Sequence, residues 1–155
     1  MKRLILMRGI PGGGKSTRSR ELAMIHIENG GRSVAILATD YYHMEGDKYI
    51  FKADLLGQYH EMNHAEAEAF MKRGIELVII DNTNVRRRDM KPYIDSAKVL
   101  GYTVKEVIIG GDKLLPSLDK ACPHKFADYI DLCAGRNTHD VPRDAIEKMA
   151  RRFEE

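Results

Sequence analysis

The stretch Gly9-Ile10-Pro11-Gly12-Gly13-Gly14-Lys15-Ser16 has the GxxxxGK[ST] spacing of a phosphate-binding loop. Each residue type has a chemical reason. Glycine lets the backbone curl until successive N–H groups converge on a phosphate, the positive end of the following helix adds to that field, and Lys15 supplies a full charge. Ser16 brings the hydroxyl that such loops place on a magnesium ion. A plain surface turn has no need of Gly12, Gly13 and Gly14 together, because each costs conformational entropy. The ligand implied is ATP or a close relative, with Mg2+.

Two acids stand where they face that ligand. Asp40 follows the apolar run Ser33–Ala38, and Asp81 follows Leu77-Val78-Ile79-Ile80. In an open parallel sheet the C-terminal strand ends border the ligand crevice. Asp40 is therefore placed to accept the proton of an attacking hydroxyl, the task that phosphoryl transfer leaves to a side chain. The plainer alternative is a cap on the turn that follows. Asp81 is placed to hold magnesium directly or through water, unless it only bonds the backbone of residues 82–84.

A second set of residues suits an acceptor. Arg86, Arg87 and Arg88 open a predicted helix, although positive charge there opposes the macrodipole at about 0.3–1 kcal/mol per charge. With Lys91 they form either a grip on nucleic-acid phosphates or a solvated basic face. Tyr41, Tyr42 and Tyr49 follow Asp40 and offer rings to an unpaired base, or else belong to a core edge. His60 and His64 share a helix face at metal-binding spacing, but half-buried helix positions explain them better. A zinc site from Cys122, His124, Cys133 and His139 matches no standard ligand spacing.

The elements that must position these groups follow from hydrophobic patterning. Apolar runs at Arg3–Met7, Ser33–Ala38, Ile75–Ile80 and Thr103–Ile109 alternate with helical segments, which predicts a parallel sheet covered by helices. Helices are expected over Lys15–Asn29, Leu55–Arg73, Arg87–Leu100 and Lys125–Ala134. Gly30, Gly74 and Gly101 supply the first three stops, and a last helix opens at Pro142. The remainder of Lys113–Asn137 has no clear pattern. A chain of 155 residues, 43% hydrophobic and 31% charged, is expected to be one domain over residues 1–155. The apolar runs are too short for a bilayer and no signal-peptide layout is present, so a cytoplasmic protein without a membrane partner is expected. A net charge of +2 does not diagnose a nucleic-acid partner. Oligomeric state is left open.

Together the segments GIPGGGKST (Gly9–Thr17), TDYY (Thr39–Tyr42), IIDNTN (Ile79–Asn84) and RNTHDVP (Arg136–Pro142) resemble the polynucleotide-kinase-like P-loop kinases, which include phage 5′-hydroxyl kinases and small cellular domains. The resemblance covers nearly the whole chain. It implies a three-layer P-loop NTPase fold, with a parallel sheet of four or five strands, helices on both faces and a C-terminal helical lid. It also implies a general-base role for Asp40, a lid arginine over the donor phosphates at Arg136, and a position near the nucleotide base for Val141. Gly12, Gly13, Gly14, Lys15, Ser16 and Thr17 are the matching ATP-binding positions. Where phage kinases have an arginine gripping a substrate phosphate, this chain has His43. A shorter lid loop offers His139 in place of a second lid arginine. Acceptor-side candidates are then His43, Tyr42, Asn84 and the arginine row.

The function expected is an ATP-dependent kinase acting on a hydroxyl of DNA or RNA, most simply a 5′ end. A kinase of the hydroxymethyl group of a modified pyrimidine in DNA is the nearest rival. A nucleotide-binding module without transferase activity and a small-metabolite kinase of the gluconate or shikimate type are the more distant ones.

Overall fold

In the computed structural model, which describes residues 1–114 and 120–155, the alternation inside the apolar runs decides the layers. Strand β1 (Arg3–Arg8) turns Leu4 and Leu6 to one face and Ile5 and Met7 to the other. Strand β5 (Leu77–Ile80) does the same with Val78 and Ile80 against Leu77 and Ile79. With β2 (Val34–Leu37) and β6 (Thr103–Ile108) they make a four-stranded parallel sheet in the order β2-β5-β1-β6. Arg3 pairs with Leu77 on one side and Thr103 on the other. Burial on both faces is why these strands are continuously apolar.

Helix α1 (Lys15–Glu28) covers the Ile5 face through Leu22 and Ala23. Helices α2 (Leu56–Lys72) and α3 (Arg87–Leu100) cover the Leu4 face through Ala67, Met71, Met90, Tyr93 and Ala97. The expected three layers are present. A separate cluster joins α4 (Pro123–Arg136) and α5 (Arg143–Arg151) to Ile10 of the phosphate loop and to Val85, through Phe126, Ile130, Cys133, Ile146 and Phe153. The C-terminal helices thus rest on the ligand end of the sheet. Among the described residues, no helix is long and apolar enough to cross a membrane.

Three local differences from expectation have physical reasons. Pro142 is not the first residue of α5 but its cap, with extended backbone, so the helix starts at Arg143. A short hairpin, β3 (Met44–Glu45) and β4 (Lys48–Tyr49), turns on Gly46 at φ +62°; strands this short carry no periodicity to detect. Helix α4 is longer at both ends than Lys125–Ala134, while residues 115–119 of the unpatterned stretch lie outside the described residues.

Arg8 is a feature that hydrophobic patterning does not suggest. It ends β1 fully buried, donating from Nε to the Asn84 carbonyl at 2.9 Å and from Nη2 to the Val85 carbonyl at 3.2 Å and to that of Glu154. Glu106 lies 3.8 Å from Nη1, and the guanidinium stacks 4.5 Å above the Phe153 ring. Its planar fork suits a buried junction that joins β1, the 84–85 loop and the C-terminal residues.

Candidate active site

The phosphate loop runs from β1 into α1, and its glycines answer to two different constraints. Gly12 and Gly14 have φ of +79° and +99°, where a side chain is strained. Gly12 is also crowded: a Cβ there would lie 1.9 Å from the Cys133 carbonyl oxygen of α4. The loop and the lid helix approach so closely because Gly12 has no side chain. Gly13 donates its N–H to the Ile10 carbonyl at 3.2 Å, curling the loop. Thr17 is exposed on the first turn of α1.

Lys15 donates from Nζ to the Ile10 carbonyl at 3.0 Å. Burial lowers its pKa, opposed by the charges of Asp81 and Asp40. Ser16 donates from Oγ to Oδ2 of Asp81 at 2.8 Å, while the Asp81 N–H donates to the Leu37 carbonyl at 2.8 Å. Burial raises the Asp81 carboxyl, opposed by the Ser16 hydrogen bond and by Lys15. Among the described residues its buried Oδ1 has no hydrogen-bond partner. An orphaned carboxylate oxygen beside a serine hydroxyl is a hard-oxygen donor set that fits Mg2+, an ion held by few protein ligands plus substrate phosphates. Among the described residues no three His, Cys, Asp or Glu side chains gather for a metal.

Asp40 sits in a 3-10 turn, Thr39–His43, directly after β2. Its carboxylate does not cap that turn. Instead Oδ1 accepts from the Tyr49 hydroxyl at 3.2 Å, and Oδ2 lies 3.3 Å from Nδ1 of His139. The Tyr49 and His139 rings stack with centroids 3.9 Å apart and planes 9° from parallel. Burial and the neighbouring Asp40 charge raise the Tyr49 pKa, so the phenol remains a donor. The Asp40 side chain is still half exposed, leaving acceptor positions open. The turn is braced from α2, where Nδ1 of His60 lies 2.9 Å from the Thr39 hydroxyl. His64 bonds Ser96 instead, so the two histidines serve packing contacts between elements.

The lid loop is closed by one residue. Asn137, just past α4, donates from Nδ2 to the Val141 carbonyl at 2.7 Å and accepts the His139 N–H on Oδ1 at 3.0 Å. Asp140 takes a left-handed φ of +52° inside it. Arg136 is the exposed last residue of α4, one turn after the Cys133 that touches Gly12. Val141 is half-buried against the lid cluster.

Several acceptor-side candidates are not where the sequence reading puts them. His43 is fully buried between Tyr49, Phe51 and Tyr59, and its Nδ1 accepts the Lys52 N–H at 3.2 Å, so it shapes the hairpin rather than facing an acceptor. Burial lowers its pKa, which further removes it as a cation. Asn84 is buried at φ +45° and donates to the Met7 carbonyl at 2.7 Å, a structural tie between β1 and the β5–α3 loop. Arg87 bonds Glu106 and, through Nε at 2.7 Å, the Glu155 carbonyl. The middle arginine of the row therefore lies beside β6, while Asp40 follows β2 at the other edge of the sheet. Arg86 is half-buried, Arg88 is exposed, and Lys91 pairs with Asp95 at 2.7 Å. Tyr42 hydrogen bonds Glu66 and stacks on Tyr59, whereas Tyr41 is exposed.

A phosphate loop after the first strand of a parallel sheet, an acid at the end of the neighbouring strand and a helical lid above both make this a P-loop NTPase fold. The chain belongs to the family whose model is described as "AAA domain", which matches residues 4–112. NEDD4-binding protein 2 from Homo sapiens is 31% identical over 151 residues, 97% of this chain but only 8% of that protein's length. Among solved structures, a chain of the Pnkp1/Rnl/Hen1 RNA repair complex aligns with 97% of this chain and 43% of its own, at TM-score 0.66 and 17% identity. A gluconokinase from Sinorhizobium meliloti 1021 aligns with 99% of this chain and 75% of its own, at TM-score 0.60 and 15% identity. These two are likenesses of fold, so the resemblance to P-loop kinases holds while the fold alone does not choose an acceptor.

Proposed function

We propose that this protein transfers the γ-phosphate of ATP to a hydroxyl of a nucleic acid, most simply a 5′-hydroxyl end. The observation that carries the proposal is the half-exposed Asp40 carboxylate, bonded by the Tyr49 hydroxyl, 3.3 Å from the His139 imidazole and close enough to the phosphate-loop Lys15 for their charges to interact. A module that only binds nucleotide has no use for such a carboxylate. Asp40 accepts the proton as the acceptor oxygen bonds to phosphorus and the bond to the departing ADP breaks. Lys15 and the loop N–H groups orient the phosphates, and Arg136 offers charge to the moving phosphoryl group. Bound Mg2+ would neutralise phosphate charge, with Ser16 and Asp81 as its protein ligands. Support for a nucleic-acid acceptor comes from the TDYY, IIDNTN and RN…VP elements and from the likeness to a chain of an RNA repair complex.

One observation favours a second acceptor. The burial of His43 leaves no cation three residues after the acid to grip a terminal phosphate, which suits a hydroxymethyl group on a modified pyrimidine within DNA. Labelled ATP offered with a 5′-hydroxyl oligonucleotide, DNA containing 5-hydroxymethyluracil, and free nucleosides separates these readings. Label on the oligonucleotide is expected. Label on nucleosides alone would overturn both nucleic-acid acceptors.

A further inference from the structure

We propose that His139 is a positioning residue for Asp40, carried on the lid so that one placement of the lid sets both the phosphate clamp and the base. The inference rests on the general-base reading of Asp40 and adds what aims that base. Asp40 follows β2 and His139 lies between α4 and α5, far apart in the chain, yet Nδ1 stands 3.3 Å from Oδ2. Two independent constraints fix the imidazole. The stack on Tyr49 fixes the plane of the ring, and the bond from the His139 backbone N–H to Asn137 Oδ1 fixes where the backbone holds it. Tyr49 in turn donates to the other carboxylate oxygen, so the carboxylate is gripped from the hairpin and from the lid at once.

A half-exposed carboxylate has a freely rotating terminal torsion and many solvated orientations. A base is useful only when its oxygen is within hydrogen-bond reach of the hydroxyl it deprotonates. Tyr49 alone leaves rotation about the Oδ1 contact, and the second contact from His139 removes it. Arg136 stands three residues before His139 on the same lid segment. A lid that brings the arginine to the phosphates therefore brings the imidazole to Asp40, and the acceptor hydroxyl meets an aimed base only when the donor is covered. Asn137, which closes the loop, supports both arms.

The test uses the full chain. With saturating ATP and the 5′-hydroxyl oligonucleotide as acceptor, His139→Ala is expected to lower kcat about tenfold or more, a share of the 10²–10⁴ that a positioned base supplies, and to leave the KM for ATP unchanged. His139→Asn, whose amide N–H can stand where Nδ1 stands, should recover much of that loss. Independently of any acceptor, the imidazole Nδ1 resonance of His139 in 15N NMR is expected to move in Asp40→Ala. Wild-type kcat in His139→Ala beside an inactive Asp40→Asn would overturn this inference alone, as would an Nδ1 resonance indifferent to Asp40→Ala. Normal transfer by Asp40→Asn would overturn the general-base reading as well.

Discussion

The donor side and the acceptor side of this site are built in different ways. On the donor side the backbone does the chemistry: positive-φ glycines, the start of α1 and the short run from Gly9 to Ser16 specify a phosphate grip within one loop. On the acceptor side no segment suffices, because Asp40 comes from the end of β2, Tyr49 from a hairpin and His139 from the lid. A site written in one loop is fixed by that loop's own geometry. One assembled from three segments depends on side chains meeting across the fold, and is correspondingly easier to alter for a new substrate.

The largest expected effect breaks the donor side. Lys15→Ala should weaken Mg·ATP binding by about 10- to 100-fold, the loss of a charge-assisted contact, and reduce transfer by about 10³ or more. Calorimetric titration and a transfer assay read the two parts. Next, Gly12→Ala should cost about 2–4 kcal/mol of stability in denaturant titration, because its Cβ would overlap the Cys133 carbonyl at a left-handed position. Gly14→Ala, strained at φ +99° with no atom within 4 Å of its Cβ, should cost less, which separates crowding from strain. The smallest effect is a slope. The raised Asp81 carboxyl means the fold binds its proton more tightly than the unfolded chain does. Stability of the nucleotide-free protein should therefore fall as pH rises from the ordinary carboxylate range through the raised pKa, and Asp81→Asn should flatten that fall in thermal melts.

The same contrast explains what was legible in the sequence. GxxxxGK[ST] announced the phosphate loop because its whole mechanism is local, and the strand and helix order followed from periodicity, with α3 matching to the residue. The placement of Asp40 and Asp81 just past strands of a parallel sheet was legible in the apolar runs that precede them. Roles that depend on tertiary partners were not. Nothing in the sequence separates the buried tie made by Asn84 and the exposed ones made by Arg87 from substrate contacts, since their partners are distant carbonyls and carboxylates. The arginine row broke a helix-end rule for a structural reason in the case of Arg87, which bonds Glu106 and the C-terminal residues. His43 looked like a weak cation and is a buried aromatic-cluster member. His139 stood out only as a substitute in a shortened lid, and its meeting with Asp40 across the fold could not be read from spacing.

The role proposed for Asp40 is in transfer and not in nucleotide binding. It is tested most directly by comparing Asp40→Asn with the wild-type chain for Mg·ATP affinity and for single-turnover transfer to the acceptor. Unchanged affinity is expected, with transfer slowed by about 10²–10⁴. Transfer at the wild-type rate, or equal losses in binding and transfer, would contradict it.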